Sequence, residues 1–404
     1  MSTEGTAPAD SALPVRTHVI LLSSAFFFIF LGAGAQQYFL LRYLSEFTGW
    51  SKVQCPFVIA AVYLSMMVFR LGNVRLLGRW PEWLLVRVGA LTYAVFTAVM
   101  VVVYFVPSYP LALAAALFWG WGGAAMWLGS TMQILALADR ARRHGTGMGI
   151  LYAATQAGWL AGVIVLGNIA EAVQDTHPYL LYVAATVFTL VGNIVVVYLP
   201  RQRVAVPEMP TWRGLVALMG RAKPRIAAFL LFAGGLTFGF ILGVFGDFVK
   251  AEHGAAWLWI TGSFYPLALF VLSFTSGVLS ERVSHGSVLA MGFFGGAAGL
   301  LVPVLVAHPA GLAATALLLG FLNGSVPVVS SALIGASADR ARRPLAHGAF
   351  FTWRDLGVVV AVVVGSLLGV STDNFVLVFE VFAGVFFACG LVSLVLNKYA
   401  QERL

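Results

Sequence analysis

The sequence predicts an all-α membrane protein with twelve transmembrane helices in two pseudo-symmetric six-helix bundles, and three observations lead to this prediction. First, 60% of the 404 residues are apolar and only 10% are charged, which is more apolar surface than a soluble fold of this length can bury. Second, the apolar residues form runs long enough to cross a bilayer as helices. Third, the hexapeptide Ala-Asp-Arg-Ala-Arg-Arg at 138–143 recurs at 338–343, so the chain consists of two related halves.

The predicted spans follow from reading the hydropathy along the chain in windows of about 19 residues. The longest hydrophilic stretch separates the two halves, so we predict an N-terminal bundle at 1–199, a cytoplasmic linker at 200–224 and a C-terminal bundle at 225–404. The spans are predicted at 17–41, 54–76, 84–106, 110–137, 147–170 and 178–199 in the first half, and at 225–248, 256–279, 287–306, 310–336, 346–370 and 374–397 in the second.

The basic residues predict the orientation of these spans. With the N-terminus and the loops after even-numbered spans on one side, that side holds 19 of the 24 Lys and Arg residues, and the other side holds three. Because basic residues are retained on the cytoplasmic side, we predict a multi-pass protein of the cell inner (plasma) membrane with both termini cytoplasmic. The net charge of +8 is spread over several short loops and does not indicate nucleic-acid binding.

Arg70, Arg354 and Asp355 are charged residues inside the predicted spans that need an explanation, since a central Arg or Asp costs about 2.5–3.5 kcal/mol on insertion scales. Arg354 and Asp355 stand in the eleventh span and Arg70 in the second. Asp355 is a candidate proton-coupling carboxylate; the alternative is a structural ion pair with Arg70 or Arg354. Arg354 can anchor an anionic or polar substrate through its planar guanidinium, or belong to that pair. Arg70 can pair with Asp355 in one conformational state, or extend to the cytoplasmic headgroups.

The repeat also aligns polar residues of the two halves. Shifted by one residue, it places Thr155 and Gln156 of the fifth span at the depth of the charged pair in the eleventh. Polar atoms at one level of both halves are expected at a site between repeats. For each neutral candidate the alternative is packing or an interhelical hydrogen bond. Together with Arg354, the candidate substrate-binding residues are Gln36, Gln37, Gln156, Tyr265, Asn323 and Trp353.

The loops on the basic side are candidates for gating. Lys or Arg alone would satisfy the topology and would contact anionic lipid, whereas the Asp in each hexapeptide can form ion pairs that hold the cytoplasmic side shut. The alternative is that these loops carry only the topology signal. The candidate gating residues are Asp139, Arg140, Asp339 and Arg340, with Glu281 and Arg282 from the loop after the eighth span.

The loops also carry a family resemblance. The major facilitator superfamily has Gly-x-x-x-Asp-Arg-x-Gly-Arg-Arg between spans two and three and a weaker copy between spans eight and nine. The segment 277–282, Gly-Val-Leu-Ser-Glu-Arg, resembles the second copy with Glu for Asp, whereas Gly72 begins a degraded first copy without the acid. Gly149 and Gly348 also resemble the family at the starts of spans five and eleven. The resemblance implies a monomer whose two bundles rock about a central site lined by spans 1, 2, 4, 5, 7, 8, 10 and 11.

A narrower resemblance and the missing enzyme motifs complete the functional expectation. The segment 26–51 resembles the first span and loop of the nucleoside and sugar proton symporters. The sequence has no phosphate-binding loop, Gly-x-Ser-x-Gly or His-Glu-x-x-His motif, and its two cysteines lie in apolar runs, so we expect no enzyme, no metal and no cofactor. We interpret the seven histidines as loop or membrane-edge residues.

The resulting hypothesis is a secondary transporter that moves a small polar, nucleoside- or sugar-like solute by alternating access, coupled to protons as a symporter. One alternative is proton-driven efflux of drugs or amphipathic metabolites. A second alternative is a membrane assembly factor or sensor that transports nothing.

Overall fold

The computed structural model describes residues 15–51, 54–139, 141–173, 175–201, 211–254, 257–306, 308–371 and 375–399. Every regular element within these ranges is helical. In the first half the helices are α1 (Val15–Phe47), α2 (Gln54–Leu77), α3 (Glu82–Phe105), α4 (Tyr109–Asp139), α5 (His144–Val173) and α6 (Leu180–Val197).

The second half begins with a short linker helix, Trp212–Met219. The helix α7 then runs through Ala222–Phe240, a π-helical turn at Ile241–Phe245, and Gly246–Glu252. The remaining long helices are α8 (Leu258–Arg282), α9 (His285–Leu305), α10 (Pro309–Ser337), α11 (Arg343–Ser371) and α12 (Phe375–Val395).

The predicted spans are confirmed as helices, each to within six residues at either end. Eleven helices of the described residues are long and apolar enough to cross a membrane. The helix α7 is not among these eleven.

The two halves repeat the same packing. In the first half α4 packs against α2 and α3, and in the second half α10 packs against α8 and α9. The first helix of each half packs against the fifth, as α1 with α5 and α7 with α11. Between the halves the most extensive contacts join α5 to α8 and α2 to α11. The internal repeat therefore extends from the loops to the arrangement of the helices.

Two glycines make the α1–α5 and α7–α11 crossings close. Gly158 lies against the carbonyl oxygen of Phe27, and Gly357 lies against the carbonyl oxygen of Phe232, so that a Cβ at either glycine would overlap that oxygen. Small residues let two backbones approach in this way where helices pack in an apolar medium. The same device at the same level of both halves matches the alignment of these two glycines in the sequence repeat.

A π-helical turn interrupts the first helix of each half. In α1 the turn is Phe30–Gly34, and the backbone N–H of Ala35 donates to the carbonyl oxygen of Phe30 at 2.9 Å, five residues back. Such a turn takes up one extra residue and is frequent at functional sites. In α1 it changes which side chains the residues after the turn direct toward the other half.

At one end of the bundle the two halves are in backbone contact. We call this the basic end and define it by Asp139, Glu281 and Arg340. Gly145 of α5 and Gly277 of α8 face each other there, and a Cβ on either would overlap the carbonyl oxygen of the other. The halves are therefore closed against each other at the basic end.

The α1–α5 crossing predicts the effect of one substitution on stability. Gly158→Val should lower the midpoint of thermal unfolding in detergent by several degrees, because the new side chain meets backbone that cannot yield; overpacking of this kind costs about 1–3 kcal/mol. The matched control is Gly167→Val in the same helix, where the nearest atom to a new Cβ is a ring carbon of Phe39 at 3.6 Å. Equal midpoints for the two variants would contradict the close crossing.

Candidate functional site

A cavity lies between the two halves, near the middle of the long helices. Its volume is ≈ 70 Å³. Because one water needs about 10–15 Å³ by this measure, the space holds roughly five waters. It is lined by Phe30, Gly34 and Gln37 of α1, Val62, Tyr63 and Met66 of α2, Tyr93 of α3, Trp119 and Trp127 of α4, Tyr152, Thr155, Gln156 and Trp159 of α5, Gly234 and Phe238 of α7, Leu269 of α8, Asn323, Val326 and Pro327 of α10, and Arg354 of α11.

The walls of the cavity are largely aromatic. Trp127 stacks on Tyr152 with 4.9 Å between ring centroids and 24° between ring planes. On the other side, Trp159 meets Phe238 edge to face at 5.8 Å. Rings held in this way offer flat surfaces to a ring-shaped or planar solute at little entropic cost.

A few polar groups stand among these rings. The hydroxyl of Tyr63 donates to Oε1 of Gln37 at 3.2 Å, and Nδ2 of Asn323 donates to the hydroxyl of Tyr265 at 2.8 Å. Neither Oε1 of Gln156 nor Nε1 of Trp159 has a hydrogen-bond partner within the described parts of the chain. Each of these two atoms is buried without a protein partner, so a polar group of a ligand or a water that reached it would satisfy its hydrogen-bonding capacity.

A buried ion pair joins the two halves beside the cavity. Nε of Arg70 in α2 donates to Oδ2 of Asp355 in α11 at 2.7 Å, and Nη2 donates to Oδ1 at 3.2 Å. The side chains are 1% and 0% exposed. The pair anticipated from the sequence is thus present, and Arg70 does not extend to the surface. Its two parallel hydrogen bonds have the strong bidentate form of Arg–carboxylate pairs.

Arg354 connects this pair to the cavity. Its Nη1 lies 3.2 Å from Oδ1 of Asp355, and its guanidinium lies 5.5 Å from the centroid of the Phe238 ring. The side chain is 21% exposed and lines the cavity. One carboxylate therefore faces two guanidiniums, one buried and one directed at the space between the halves.

His347 is a buried group that the sequence analysis did not identify as part of the site. It is 1% exposed, and its ring stacks on Phe351 at 4.4 Å, whose ring in turn lies 5.4 Å from the guanidinium carbon of Arg70. Neither ring nitrogen has a partner among the described residues. His347 lies in the second turn of α11, four residues after the helix begins at Arg343, and is buried between the helices. The spacing of 347, 351 and 355 along one helix ridge was the available signal.

At the basic end, Asp139 of the first half is held by the second half. Nε of Arg340 lies 2.6 Å from Oδ2 of Asp139, and Nη2 of Arg343 lies 2.8 Å from Oδ1. His144 adds a contact of 2.8 Å from its Nε2. Arg343, which was not among the predicted residues, also donates to the carbonyl oxygen of Gly335 at 2.7 Å.

The second hexapeptide does not mirror this network. Asp339 is exposed, and its carboxylate forms no ion pair with a described residue. Arg140 lies outside the described residues. The two identical hexapeptides therefore have different surroundings, with Asp139 as the shared acceptor.

Glu281 joins the halves at a second point of the basic end. Its carboxylate accepts from the backbone N–H of Thr146 at 2.7 Å and from the Thr146 hydroxyl at 2.8 Å, in the first turn of α5. A carboxylate at this position satisfies a free N–H and is favoured by the helix dipole. In the first half Leu76 stands where the acid would be, and Val74 packs on Gly348 of α11 instead. Arg282 is exposed.

The structure divides the predicted substrate-binding residues into two groups. Gln37, Gln156, Asn323 and Arg354 line the cavity. The remaining three do not: Gln36 is buried and donates to the carbonyl oxygen of Ala33, Tyr265 lies behind Trp159 and holds Asn323, and Trp353 is 42% exposed on the outside of the bundle.

Several solved structures share this architecture. Crystal structures of FucP, the fucose:proton symporter of E. coli, match with TM-scores of 0.74 and 0.72 at 15% and 14% sequence identity. They cover 95% and 96% of this chain and 98% and 99% of theirs, and the first is in an outward conformation. The human organic anion transporter MFSD10 (TETRAN) matches with a TM-score of 0.75 at 11% identity, over 95% of this chain and 100% of its own.

No protein-family model and no curated protein sequence matches the chain. The likeness is therefore one of structure, and it extends over almost the whole length of both partners. These neighbours are transporters, which agrees with the expectation that the chain is not an enzyme. The chain has the fold of the major facilitator superfamily transporters.

Proposed function

We propose that the protein is a secondary active transporter that moves a small polar solute by alternating access. The observation that carries the proposal is the cavity between the halves, whose one charged lining residue, Arg354, contacts the interhalf pair of Arg70 and Asp355. A solute or a proton that alters these contacts acts directly on the ion pair that joins the two halves. Binding energy can then be converted into rearrangement of two rigid bodies.

In this proposal twelve helices cross the membrane as two six-helix bundles, 1–199 and 225–404, joined by a linker at 200–224, and the protein works as a monomer. The basic end faces the cytoplasm and both termini lie there, because 19 of the 24 Lys and Arg residues gather on that side. The membrane is the cell inner (plasma) membrane.

Coupling to protons is assigned to Asp355. While it is ionised, its carboxylate holds Arg70 of one half to α11 of the other. A proton on the carboxylate removes that attraction, so that α2 and α11 can separate. Proton entry is thereby linked to movement of the halves, as symport requires. The fucose:proton symporter among the structural neighbours supports this choice.

The solute is proposed to be ring-shaped, of the size of a nucleoside or sugar. The stacked aromatic pairs supply flat surfaces, and Gln37, Gln156 and Asn323 supply amide groups for its polar substituents. Efflux of drugs or amphipathic metabolites is the second candidate, favoured by the same aromatic walls. A membrane assembly factor or sensor would differ from both, because it would produce no flux of solute across the membrane.

The contacts of the basic end are proposed to be its gate. Asp139 with Arg340 and Arg343, and Glu281 with the first turn of α5, hold the halves together on one side of the cavity. They must break when the cavity opens toward the cytoplasm. Because most of these groups are only partly buried, water can replace their hydrogen bonds at moderate cost.

The coupling role predicts the behaviour of one neutral variant. In proteoliposomes containing a pH-sensitive dye, a panel of nucleosides, sugars, organic acids and drugs should include a solute that evokes proton flux. Asp355→Asn should abolish that flux, because a side-chain amide neither takes up nor releases a proton. The matched control is Glu380→Gln, which removes an exposed acid of α12. Flux that survives Asp355→Asn would reassign the coupling proton and leave Asp355 as a structural partner.

The ion pair itself predicts rescue by charge exchange. Arg70→Asp and Asp355→Arg should each reduce the yield of folded protein, since loss of one partner of a buried pair costs about 3–5 kcal/mol. The double exchange should recover part of the loss, measured as monodisperse protein after detergent extraction. A double variant no better than either single variant would show that the two side chains are not paired.

The gate predicts a difference between the two hexapeptides. A cysteine at Ser280, buried where α8 meets α5, should react slowly with thiol reagents in the closed form. Asp139→Asn should accelerate the reaction roughly tenfold, in line with the loss of charged hydrogen bonds. Asp339→Asn, the equivalent change in the other copy, should leave the rate unchanged. Equal rates in all three backgrounds would show that Asp139 does not hold the basic end closed.

A further inference from the structure

We infer that the transported solute is a small ring-bearing carboxylate, bound through its negative charge by Arg354, rather than a neutral sugar or nucleoside. This inference rests on the proposed function and narrows its solute class. It is carried by the charge of the site, by the unused donors of Arg354 and by the groups that surround it.

The site has an excess positive charge. Arg70 and Arg354 carry two positive charges, and Asp355 carries one negative charge. The residues that line the cavity include no acid. The carboxylates of Asp139 and Glu281 are bound to other groups at the basic end. One positive charge beside the cavity is therefore left without a protein counterion in the described structure.

The hydrogen bonds show which cation is free to bind. Asp355 accepts one N–H of Arg70 on each oxygen and a single further N–H, from Arg354, on Oδ1. A guanidinium has five N–H donors, and the other four of Arg354, which lines the cavity, form no hydrogen bond within the described residues. Its planar fork matches a carboxylate with two parallel hydrogen bonds. A neutral solute would displace water from this cation without replacing the counter-charge, which is unfavourable in an apolar interior.

The surroundings of Arg354 describe the rest of the solute. The stacked pair Trp127–Tyr152 and the pair Trp159–Phe238 accept a ring. The free Nε1–H of Trp159 can donate to a further oxygen of the solute, and the free Oε1 of Gln156 can accept from a hydroxyl or amide. A cavity of ≈ 70 Å³ restricts the solute to a small molecule. A sugar acid or a small aromatic acid has this combination of ring, carboxylate and hydrogen-bonding groups.

An anionic solute also explains how proton and solute binding can be coupled. The charged groups next to Asp355 are the guanidiniums of Arg70 in α2 and Arg354 in α11. The other titratable groups nearby are Tyr63 of α2, Tyr152 of α5 and His347 of α11. In the empty site a proton on Asp355 would leave two uncompensated positive charges. With an anion on Arg354 it would leave one. Solute and proton therefore favour each other's binding, and by linkage the effect is reciprocal.

The experiment compares matched acids and neutral analogues on the purified full chain. The probes are glucuronate against glucose, orotate against uracil and benzoate against benzamide, titrated at constant ionic strength and followed by tryptophan fluorescence and thermal shift. At least one acid should bind roughly 10- to 100-fold more tightly than its neutral partner, the range expected for a charged hydrogen-bonded contact. Binding of that acid should also take up protons from a weakly buffered solution.

Variants then assign the preference to Arg354. Arg354→Gln should remove most of the preference for the acid, and Arg354→Lys should keep part of it, because the charge remains but the fork is lost. Arg42→Gln, which removes an exposed Arg at the other end of the bundle, should bind like the parent protein. If Arg354→Gln does not fold, as judged by gel filtration, the comparison of Arg354→Lys with Arg42→Gln carries the test.

Three results would overturn the inference: neutral probes that bind as tightly as their acids, acid binding that is insensitive to Arg354, or no response to any of the acids at millimolar concentration. The proposed function fails separately. Proton-coupled flux of a neutral solute would refute the anionic solute class and leave the proposed transport function in place. Acids that bind through Arg354 but evoke no flux would support the anion site and refute transport.

Discussion

The cost of placing charge in an apolar interior governs this structure, and the pair of Arg70 and Asp355 is where it applies most strongly. Both side chains are almost completely withdrawn from solvent, yet they belong to different halves of the chain. Either charge alone would be strongly destabilising at that depth, so each is retained through the other. The pair therefore fixes how α2 and α11 face each other. Arg354 contacts this pair and lines the aromatic cavity beside it.

The sequence predicts the fold well because the physics of the bilayer leaves few choices. Apolar runs of about 20 residues must be helical, and the helices lie where the runs do. The same reasoning makes the pair of Arg70 and Asp355 one of the expected arrangements, because a charge inside such a run needs a partner, but it leaves open whether Arg70 instead extends to the headgroups. The cavity walls are different. In the sequence, Tyr63, Tyr152 and Trp159 do not differ from aromatic residues that only pack, and the crossing of helices from both halves determines which rings face the cavity.

The repeated hexapeptide shows a second limit of sequence reasoning. The two identical hexapeptides predict equivalent contacts for their aspartates. In the structure Asp139 accepts hydrogen bonds from two arginines of the other half, whereas Asp339 is exposed. The reason lies in the neighbours: Arg343 is 7% exposed at the start of α11, while its counterpart Arg143 is exposed. Pseudo-symmetric halves in a single conformation do not have to make equivalent contacts. One paired copy, that of Asp139, is enough to join the two halves at the basic end.

The π-helical turn in α1 has a consequence for how the cavity can change. An α-helix advances by about 100° per residue, so the one extra residue held at Phe30–Gly34 rotates everything that follows by that amount. Phe30, Gly34 and Gln37 all line the cavity across this turn. A substitution that keeps the π-helical turn leaves the same side chains directed at the cavity. Insertion or deletion of a single residue would rotate the rest of the helix and direct other side chains at the cavity. Chain length at this point, rather than side-chain chemistry, sets which groups the first helix presents to the cavity.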